Sequence, residues 1–269
     1  MSTVEQCVVK PGHKFRLADF DPDSTLHFQD KETAAKSLPK NVQRLSELHD
    51  LLYADHRYAL LIVLQGMDAG GKDGAIRHVM PGVNPQGCDV TSFKAPSAEE
   101  ADHDYLWRVH HAMPARGEIG IFNRSHYEDV LVVRVHKLAP HGVWSKRYGQ
   151  INAFEQMLSQ NNVKIVKFFV HSGKDEQKKR FEERIETASK NWKFSQADLT
   201  ERKYRSEYQD AYQDALQECS TRRAPWYVIP SNKKWVRNLA ISEILVHTLE
   251  SLKLRYPPPK TDLKKLKVK

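Results

Sequence analysis

The chain has 269 residues, of which 40% are hydrophobic and 28% are charged, and 42 Lys+Arg against 34 Asp+Glu give a formal net charge of +8. These proportions suit a packed core with a solvated surface, and they exclude a disulfide-rich miniprotein, a collagen-like chain, a disordered chain and a membrane-spanning helix of ~20 apolar residues. The positive charge predicts an anionic partner, which on composition alone is a nucleic acid, an acidic lipid surface or a phosphate-rich small molecule.

The three cysteines, Cys7, Cys88 and Cys219, are odd in number and widely spaced. This pattern is typical of reduced thiols rather than of a disulfide framework. The beginning of the sequence also lacks the basic and apolar segments of a secretory signal. We therefore predict a cytoplasmic location.

Residues 1–40 are predicted to be an N-terminal extension, because turn-forming Gly and Pro residues recur in them. Apolar residues at helical spacing then predict an amphipathic helix over 41–53. Downstream, short apolar runs alternate with helical patterns, which predicts a three-layer α/β fold with a five-stranded parallel sheet. The predicted strands are 58–64, 88–93, 118–122, 163–170 and 226–229. The predicted helices are 71–80, 97–113, 125–135, 143–159 and 242–255.

A charged stretch between the fourth and fifth predicted strands interrupts this alternation. It predicts two helices, 175–188 and 198–220, and we interpret residues 174–222 as a helical lid rather than as a second domain. Residues 41–259 are then a single domain. Residues 260–269, with five lysines and one aspartate, are predicted to be a disordered basic tail.

The most specific motif is a phosphate-binding loop between the first predicted strand and the next helix. Gly66-Met-Asp-Ala-Gly-Gly-Lys-Asp-Gly fits the pattern G-x-x-x-x-G-K, with Asp73 where Ser or Thr is usual. Glycines let backbone N–H groups turn toward an anion, the helix adds its positive end, and Lys72 reaches the outer phosphate. The alternative is a glycine-rich turn that only closes a βα unit. The predicted phosphate-binding residues of the loop are Ala69, Gly70, Gly71, Asp73 and Gly74.

Two carboxylates in this loop, Asp68 and Asp73, are unusual. A carboxylate repels a bound phosphate unless a cation lies between them. We infer that Asp68 helps to bind Mg²⁺ or orients the attacking phosphate oxygen. For Asp73 the alternative is that it only complements the dipole of the following helix.

A second motif, Asn-Arg-Ser-His-Tyr-Glu-Asp at 123–129, follows the third predicted strand. Ligands of open α/β sheets bind at the carboxyl ends of the strands, so this motif is expected near the phosphate loop. Arg124 is predicted to clamp a phosphate, the alternative being an ion pair with Glu128. Asp129 is predicted to supply a second Mg²⁺ carboxylate, the alternative being a surface position. His126 suggests a phosphohistidine hypothesis, against which stands an ordinary hydrogen-bonding role.

Basic residues crowd the predicted lid. Arg180 and Arg184 are four residues apart and share one helix face, and acidic residues interspersed there leave a plain solvated face as the alternative. We predict that Arg184 stabilises charge on a transferring phosphoryl group and that Arg180 and Lys190 bind phosphate. Lys94, just after the second strand, is placed for phosphate or is only rim charge.

Taken together, the loop, the Asn123–Asp129 run, the basic lid and Ala-Pro-Trp-Tyr at 224–227 resemble the polyphosphate kinase 2 family, from about Phe15 to Tyr256. The Asn123–Asp129 run is most similar to the subgroup, class III, that phosphorylates both AMP and ADP. The resemblance implies a P-loop kinase fold like that of thymidylate kinase and transfer of a phosphoryl group from inorganic polyphosphate to AMP or ADP. We predict that the transfer is direct and in line, without an enzyme-bound phosphate. The resemblance also implies a Mg²⁺ cofactor, with Mn²⁺ tolerated, and a homodimer or homotetramer.

Residue by residue, the resemblance implies that Asp68 and Lys72 are essential and that Arg124 and Arg184 bind the transferring phosphates. Asp129 would belong to the metal and acceptor region. The predicted nucleotide-binding residues are Lys94, Asn123, Tyr127 and Glu128.

Two other functions stay open from the sequence. An ATP-dependent nucleotide or small-molecule kinase would share the loop and the lid. A nucleic-acid-binding protein would use the positive charge and the lysine tail, but its affinity would fall steeply with salt and would not depend on nucleotide. We expect neither a nucleic-acid partner nor a membrane partner.

Overall fold

The computed structural model describes residues 1–262, and its centre is a five-stranded sheet in which every paired strand is parallel. The strands follow the order β2-β3-β1-β4-β5, so the predicted fold class and strand number are confirmed. Their bounds are β1 Ala59–Gln65, β2 Cys88–Ser92, β3 Ile119–Asn123, β4 Val163–His171 and β5 Trp226–Pro230.

The central strand β1 shows why this sheet is covered on both faces. All seven of its residues are buried, as expected for a strand that lies between two helical layers. Side chains alternate between faces along a strand, so Leu61 and Val63 enter one hydrophobic cluster while Leu60 and Ile62 enter the other. The two clusters are the cores of a three-layer α/β domain.

Helices cover the two faces. On one face α2 (Lys31–Asp55), α3 (Lys72–Val79) and α11 (Lys234–Ser251) pack against β1 and its neighbours, and on the other α7 (His141–Gln160) and α10 (Arg205–Cys219) do so. The helices of residues 1–262 are α1 Thr3–Cys7, α2 Lys31–Asp55, α3 Lys72–Val79, α4 Ala98–Asp102, α5 Trp107–His111, α6 Val132–Val135, α7 His141–Gln160, α8 Lys174–Glu186, α9 Gln196–Glu201, α10 Arg205–Cys219 and α11 Lys234–Ser251.

Three of the predicted helices are shorter or broken. Residues 97–113 form α4 and α5 because His103 is extended and the Asp104 carboxylate accepts the backbone N–H of Leu106 at 3.0 Å, which starts a new turn. Residues 125–135 form a 3₁₀ turn, His126–Asp129, and then α6. Residues 198–220 are α9 and α10, separated by a 3₁₀ turn at Arg202–Tyr204.

The helix predicted to start at residue 41 begins at Lys31. Asp30 caps it by accepting the backbone N–H of Thr33 at 2.7 Å. Pro39 lies inside the helix, on its exposed side, where water can satisfy the carbonyl that proline leaves unpaired. The division of the chain at residue 40 stays a prediction, and the structure places Cys7 and Leu17 from the first segment in the hydrophobic clusters.

The structure describes only the first part of the predicted C-terminal tail. Residues 263–269 of the predicted disordered tail lie outside the described residues. Across residues 1–262 no helix is both long enough and apolar enough to span a bilayer.

Candidate active site

The phosphate loop follows β1 directly and leads into α3, as predicted. Gly66 passes so close to β4 that an added Cβ would lie 2.7 Å from the carbonyl oxygen of Val170. Gly71, with φ +109°, adopts a left-handed conformation that glycine reaches without strain and forms the N-cap of α3. Ala69 also has a positive φ, +57°. The loop backbone therefore curves around the N-terminus of α3, which is a ready anion site.

The Lys72 side chain lies inside the curve of the loop backbone. Its Nζ donates hydrogen bonds to the carbonyl oxygens of Gly66 at 2.6 Å and Met67 at 3.3 Å, and the side chain is buried. Burial lowers the pKa of the Lys72 ammonium, an effect that the nearby Asp68 carboxylate opposes. The predicted catalytic lysine is therefore bonded to the loop's own carbonyl oxygens in this structure.

The second motif meets the loop at the carboxyl ends of β1 and β3, as predicted. Arg124 Nη2 donates to Asp68 Oδ1 at 2.6 Å, and the two side chains are 40% and 23% exposed. Asn123 Nδ2 donates to Asp73 Oδ1 at 2.8 Å, which joins the end of β3 to the start of α3. Burial alone would lower the pKa of Arg124, but the Glu128 and Asp68 carboxylates raise it, so this guanidinium stays charged.

The turn His126–Asp129 divides its side chains between the core and the site. His126 and Tyr127 are buried and hydrogen-bonded to Glu155, His126 at 3.2 Å and Tyr127 at 2.8 Å. Tyr127 is therefore not where the nucleotide-binding prediction requires it, and His126 is a hydrogen-bonded core residue rather than an exposed nucleophile. Asp129 accepts a hydrogen bond from Arg147 Nη1 at 2.9 Å. Burial raises the pKa of Asp129, and Arg147 counteracts this.

A cavity of about 1120 Å³ opens beside the loop and reaches from β2 to the lid. Its volume suits a nucleotide-sized ligand. Five of the predicted site residues line it: Asp68, Lys94, Arg124, Glu128 and Asp129.

The three lid residues predicted to bind phosphate, Arg180, Arg184 and Lys190, lie in different surroundings. Arg180 lies beneath the loop, with Nη1 donating to the carbonyl oxygens of Ala69 at 3.0 Å and Gly70 at 2.7 Å. Arg184 forms an ion pair with Asp198 at 3.1 Å. Lys190 pairs with Glu183, and both of these side chains are more than 40% exposed. Arg180 thus braces the loop backbone, while Arg184 and Lys190 are paired within the lid.

Sequence reasoning missed several cavity residues because they lie outside the two motifs. Arg108 and Arg147 line the cavity from α5 and α7 without a distinguishing local pattern. Arg205, Tyr208 and Tyr212 also line it, and their spacing of three and four residues places them on one face of α10. That spacing was the one available signal.

Comparison with known proteins identifies the family. A family model described as "Polyphosphate kinase 2" matches residues 28–257, which is most of the chain.

The chain belongs to the polyphosphate kinase 2 family.

Relatives and a solved structure agree with this assignment to the polyphosphate kinase 2 family. An AMP/ADP-polyphosphate phosphotransferase of Meiothermus ruber is 51% identical over 259 residues, covering 96% of this chain and 97% of the relative. An ADP-polyphosphate phosphotransferase of Rhodopseudomonas palustris is 48% identical, covering 94% of this chain and 92% of the relative. The crystal structure of polyphosphate kinase 2 from Arthrobacter aurescens TC1 superposes with a TM-score of 0.95 at 42% identity, covering 98% of this chain and 94% of that one.

The site of this polyphosphate kinase 2 chain has a donor set that fits a hard divalent cation. Burial raises the pKa of both Glu128 and Asp198. The Asp68 carboxylate raises each further, while nearby cations, among them Arg124, lower both. A bound phosphate would repel these carboxylates, and a cation between the phosphate and the carboxylates would reduce that repulsion. Within residues 1–262 no three His, Cys, Asp or Glu side chains form a preformed metal centre. Mg²⁺ in phosphoryl-transfer sites is usually held by one or two carboxylates together with substrate phosphates, an arrangement that Asp68 suits.

Proposed function

We propose that this chain transfers a phosphoryl group from inorganic polyphosphate to AMP and to ADP, forming ADP and ATP. The observation that carries the proposal is a cavity of about 1120 Å³ that joins a phosphate loop to a set of cationic side chains in a polyphosphate kinase 2 chain. The names of the Meiothermus and Rhodopseudomonas relatives support the donor and both acceptors.

The acceptor nucleotide would lie in the part of the cavity away from the loop. Lys94, Arg108 and Arg147 line that part, and Arg108 and Arg147 each lie over an aromatic ring, Phe93 at 5.4 Å and Tyr105 at 4.7 Å. Cations beside flat aromatic surfaces suit a ligand that carries both phosphates and a base.

The donor chain would enter from the lid side and end at the loop. The loop backbone from Ala69 to Gly74 would hold its terminal phosphates, with Lys72 and Arg124 beside them. Arg184 now pairs with Asp198, and a polyphosphate chain would compete with that carboxylate for the guanidinium.

Transfer would be direct and in line. A terminal phosphate oxygen of AMP or ADP attacks the terminal phosphorus of polyphosphate, a new P–O bond forms, and the bond to the next bridging oxygen breaks to release the shortened chain. Lys72, Arg124 and Arg184 would neutralise charge that develops on the transferred group. Asp68 would hold Mg²⁺, which when bound supplies charge neutralisation of the phosphates, and we propose the same site for Mn²⁺.

A donor and acceptor matrix tests this function. AMP, ADP, GMP and GDP are each incubated with polyphosphate or with ATP as donor, with Mg²⁺, with Mn²⁺ or with a chelator. We expect polyphosphate to support ATP formation from AMP and from ADP only when a divalent cation is present. Transfer from γ-labelled ATP to AMP without polyphosphate would instead indicate an ATP-dependent kinase.

The predicted metal role of Asp129 is a separate part of the proposal, because Asp129 pairs with Arg147 rather than with the loop. Cytoplasmic location and assembly into a homodimer or homotetramer are proposals as well. Light scattering of the purified chain tests the assembly by giving the particle mass directly.

A further inference from the structure

Arg237, on the first turn of α11, packs against the start of α3. A Cβ added at Gly71 would lie 2.1 Å from Arg237 Nη1, and one added at Gly74 would lie 3.0 Å from Arg237 Nη2. The guanidinium therefore occupies the space that side chains at these two loop positions would fill. This contact links α11, which lies outside both sequence motifs, to the backbone that cradles phosphate.

The Arg237 guanidinium is deeply buried and lacks an acidic partner. Arg237 is only 2% exposed. Its Nε and Nη2 both donate hydrogen bonds to Asn238 Oδ1, at 3.0 and 2.8 Å. Within residues 1–262 no carboxylate forms a salt bridge with it. An uncompensated buried charge is costly, so such a group calls for an anion that is absent from the polypeptide.

A second buried guanidinium strengthens this positive region. Arg180 lies close enough that a Cβ at Gly71 would be 3.3 Å from its Nη1. Glu176 neutralises Arg180 through an ion pair at 2.8 Å, while Arg237 keeps its charge unpaired. Burial, with a smaller contribution from Arg180, lowers the pKa of Arg237 to about 10, so at neutral pH the group is still a cation.

We propose that Arg237 is a positioning residue for the donor, whose buried positive charge behind Gly71 and Gly74 stabilises the polyphosphate phosphates held by the loop. The proposal rests on the proposed function and adds a residue to it. Arg237 acts across the loop backbone and does not touch the reacting atoms. The effect is electrostatic preorganisation, because the charge is fixed before the anion binds.

A purely steric role is the competing explanation. In that case the guanidinium only fills space beside two glycines, and any substitution would loosen the loop irrespective of charge. The two explanations differ in what Arg237→Lys and Arg237→Met do, since Lys keeps the charge and Met keeps most of the volume.

The experiment compares wild type, Arg237→Lys, Arg237→Met and a control, Arg116→Met, an exposed arginine just before β3 at the opposite edge of the sheet. For each protein, KM is measured separately for tripolyphosphate and for ADP, together with kcat. The rise in Tm on adding tripolyphosphate without nucleotide is measured as a binding readout free of turnover. If Arg237→Met does not fold, Arg237→Gln replaces it.

We expect Arg237→Met to raise KM for tripolyphosphate about tenfold while KM for ADP changes about twofold or less. The tripolyphosphate-induced rise in Tm should shrink in Arg237→Met and be largely retained in Arg237→Lys and Arg116→Met. Equal losses of kcat in the Lys and Met variants, with KM for tripolyphosphate unchanged, would overturn the proposal in favour of the steric role. A wild-type enzyme without polyphosphate-dependent activity would instead contradict the proposed function, which separates the two failures.

Discussion

Two ion pairs built from the same kinds of residue have opposite surroundings in this molecule. Arg124 and Asp68 meet at the cavity, where their side chains are 40% and 23% exposed. Lys167 on β4 and Glu155 on α7 meet in the core, where they are 0% and 2% exposed. The first pair can exchange partners with a ligand, whereas the second cannot be reached by one.

Both members of the buried Lys167–Glu155 pair form further hydrogen bonds within the protein. Besides Glu155, the Lys167 ammonium donates to the Tyr127 hydroxyl at 2.8 Å and to the Cys219 carbonyl at 2.7 Å. Glu155 also accepts from Tyr127 and contacts His126. A buried charge is tolerated when its hydrogen-bonding capacity is filled in this way.

The two pairs show that a charged residue in a motif indicates a binding site only where its side chain can still form hydrogen bonds or ion pairs with a substrate. The turn His126–Asp129 contains both cases, because its first two side chains join the Lys167 cluster and its last two line the cavity. Charges at the cavity should therefore control activity, and charges in the core should control stability.

The largest expected effect is on catalysis by Asp68→Asn. We expect kcat to fall about 10²–10³-fold, as for the loss of one preorganised electrostatic group, and Mg²⁺ dependence to be lost. The free energy of unfolding should change by about 1 kcal/mol or less, since the pair with Arg124 is solvent-accessible. Steady-state kinetics over a Mg²⁺ titration and urea denaturation measure the two quantities. Asp89→Asn, an exposed residue on β2, is the control, and an unchanged Mg²⁺ response would reject the role of Asp68.

Lys167→Met should produce the opposite result. Removing the ammonium leaves Glu155 buried beside His126, which should lower the free energy of unfolding by about 3–5 kcal/mol. The double variant Lys167→Met/Glu155→Leu should recover much of that loss, because neither charge is then buried alone. Lys164→Met, earlier on the same strand, is the control. A single variant as stable as wild type in urea would contradict the contrast between core and cavity.

A smaller effect is expected from Arg147→Met. Arg147 lowers the pKa of Asp129 against the effect of burial, so without it Asp129 binds a proton at a higher pH. If the Asp129 carboxylate serves the acceptor, activity should be lost earlier as the pH falls, so the acid limb of kcat/KM should move to higher pH. The pH profile of the exposed neighbour variant Lys146→Met should match wild type. An acid limb that stays in place in Arg147→Met would remove Asp129 from the reaction.

The smallest effect should follow deletion of residues 260–269. The cavity is lined by residues between Gly66 and Tyr212, and ion pairs near a chain terminus usually contribute little. We expect kcat/KM for polyphosphate to stay within about twofold of wild type. A tenfold loss would show that charge outside the domain contributes to donor binding.

The sequence predicted what local patterns determine. The apolar run at residues 58–64, followed by Gly66 and a lysine after Gly71, predicted a strand, a loop and a helix. The structure has β1 at Ala59–Gln65 and α3 at Lys72–Val79, on either side of the loop. The meeting of Arg124 with the loop also followed from the rule that parallel strands end at one edge.

Other features depend on contacts between residues that are distant in sequence, and local patterns did not indicate those contacts. Tyr127 points to the core in part because a 3₁₀ turn changes which side chains share a face. Its hydroxyl is also hydrogen-bonded there to Glu155 and Lys167, which lie 28 and 40 residues further along the chain. Arg180 was expected at the phosphates, but the carbonyls of Ala69 and Gly70, more than a hundred residues earlier, take up its guanidinium. Sequence spacing contains no information about such partners.

The anchoring of the lid has a mechanical consequence. Arg180 fastens the entering helix to the loop carbonyls, and Arg205 fastens the returning helix by donating to the Ser172 carbonyl at 2.7 Å. Both helices are therefore held at the loop, and the segment between residues 184 and 202 is itself held by His136, which contacts Glu201 at 2.9 Å. Because Arg205 also contacts Met67 of the loop, at 3.1 Å, a substitution in either helix should change the shape of the loop without touching a substrate.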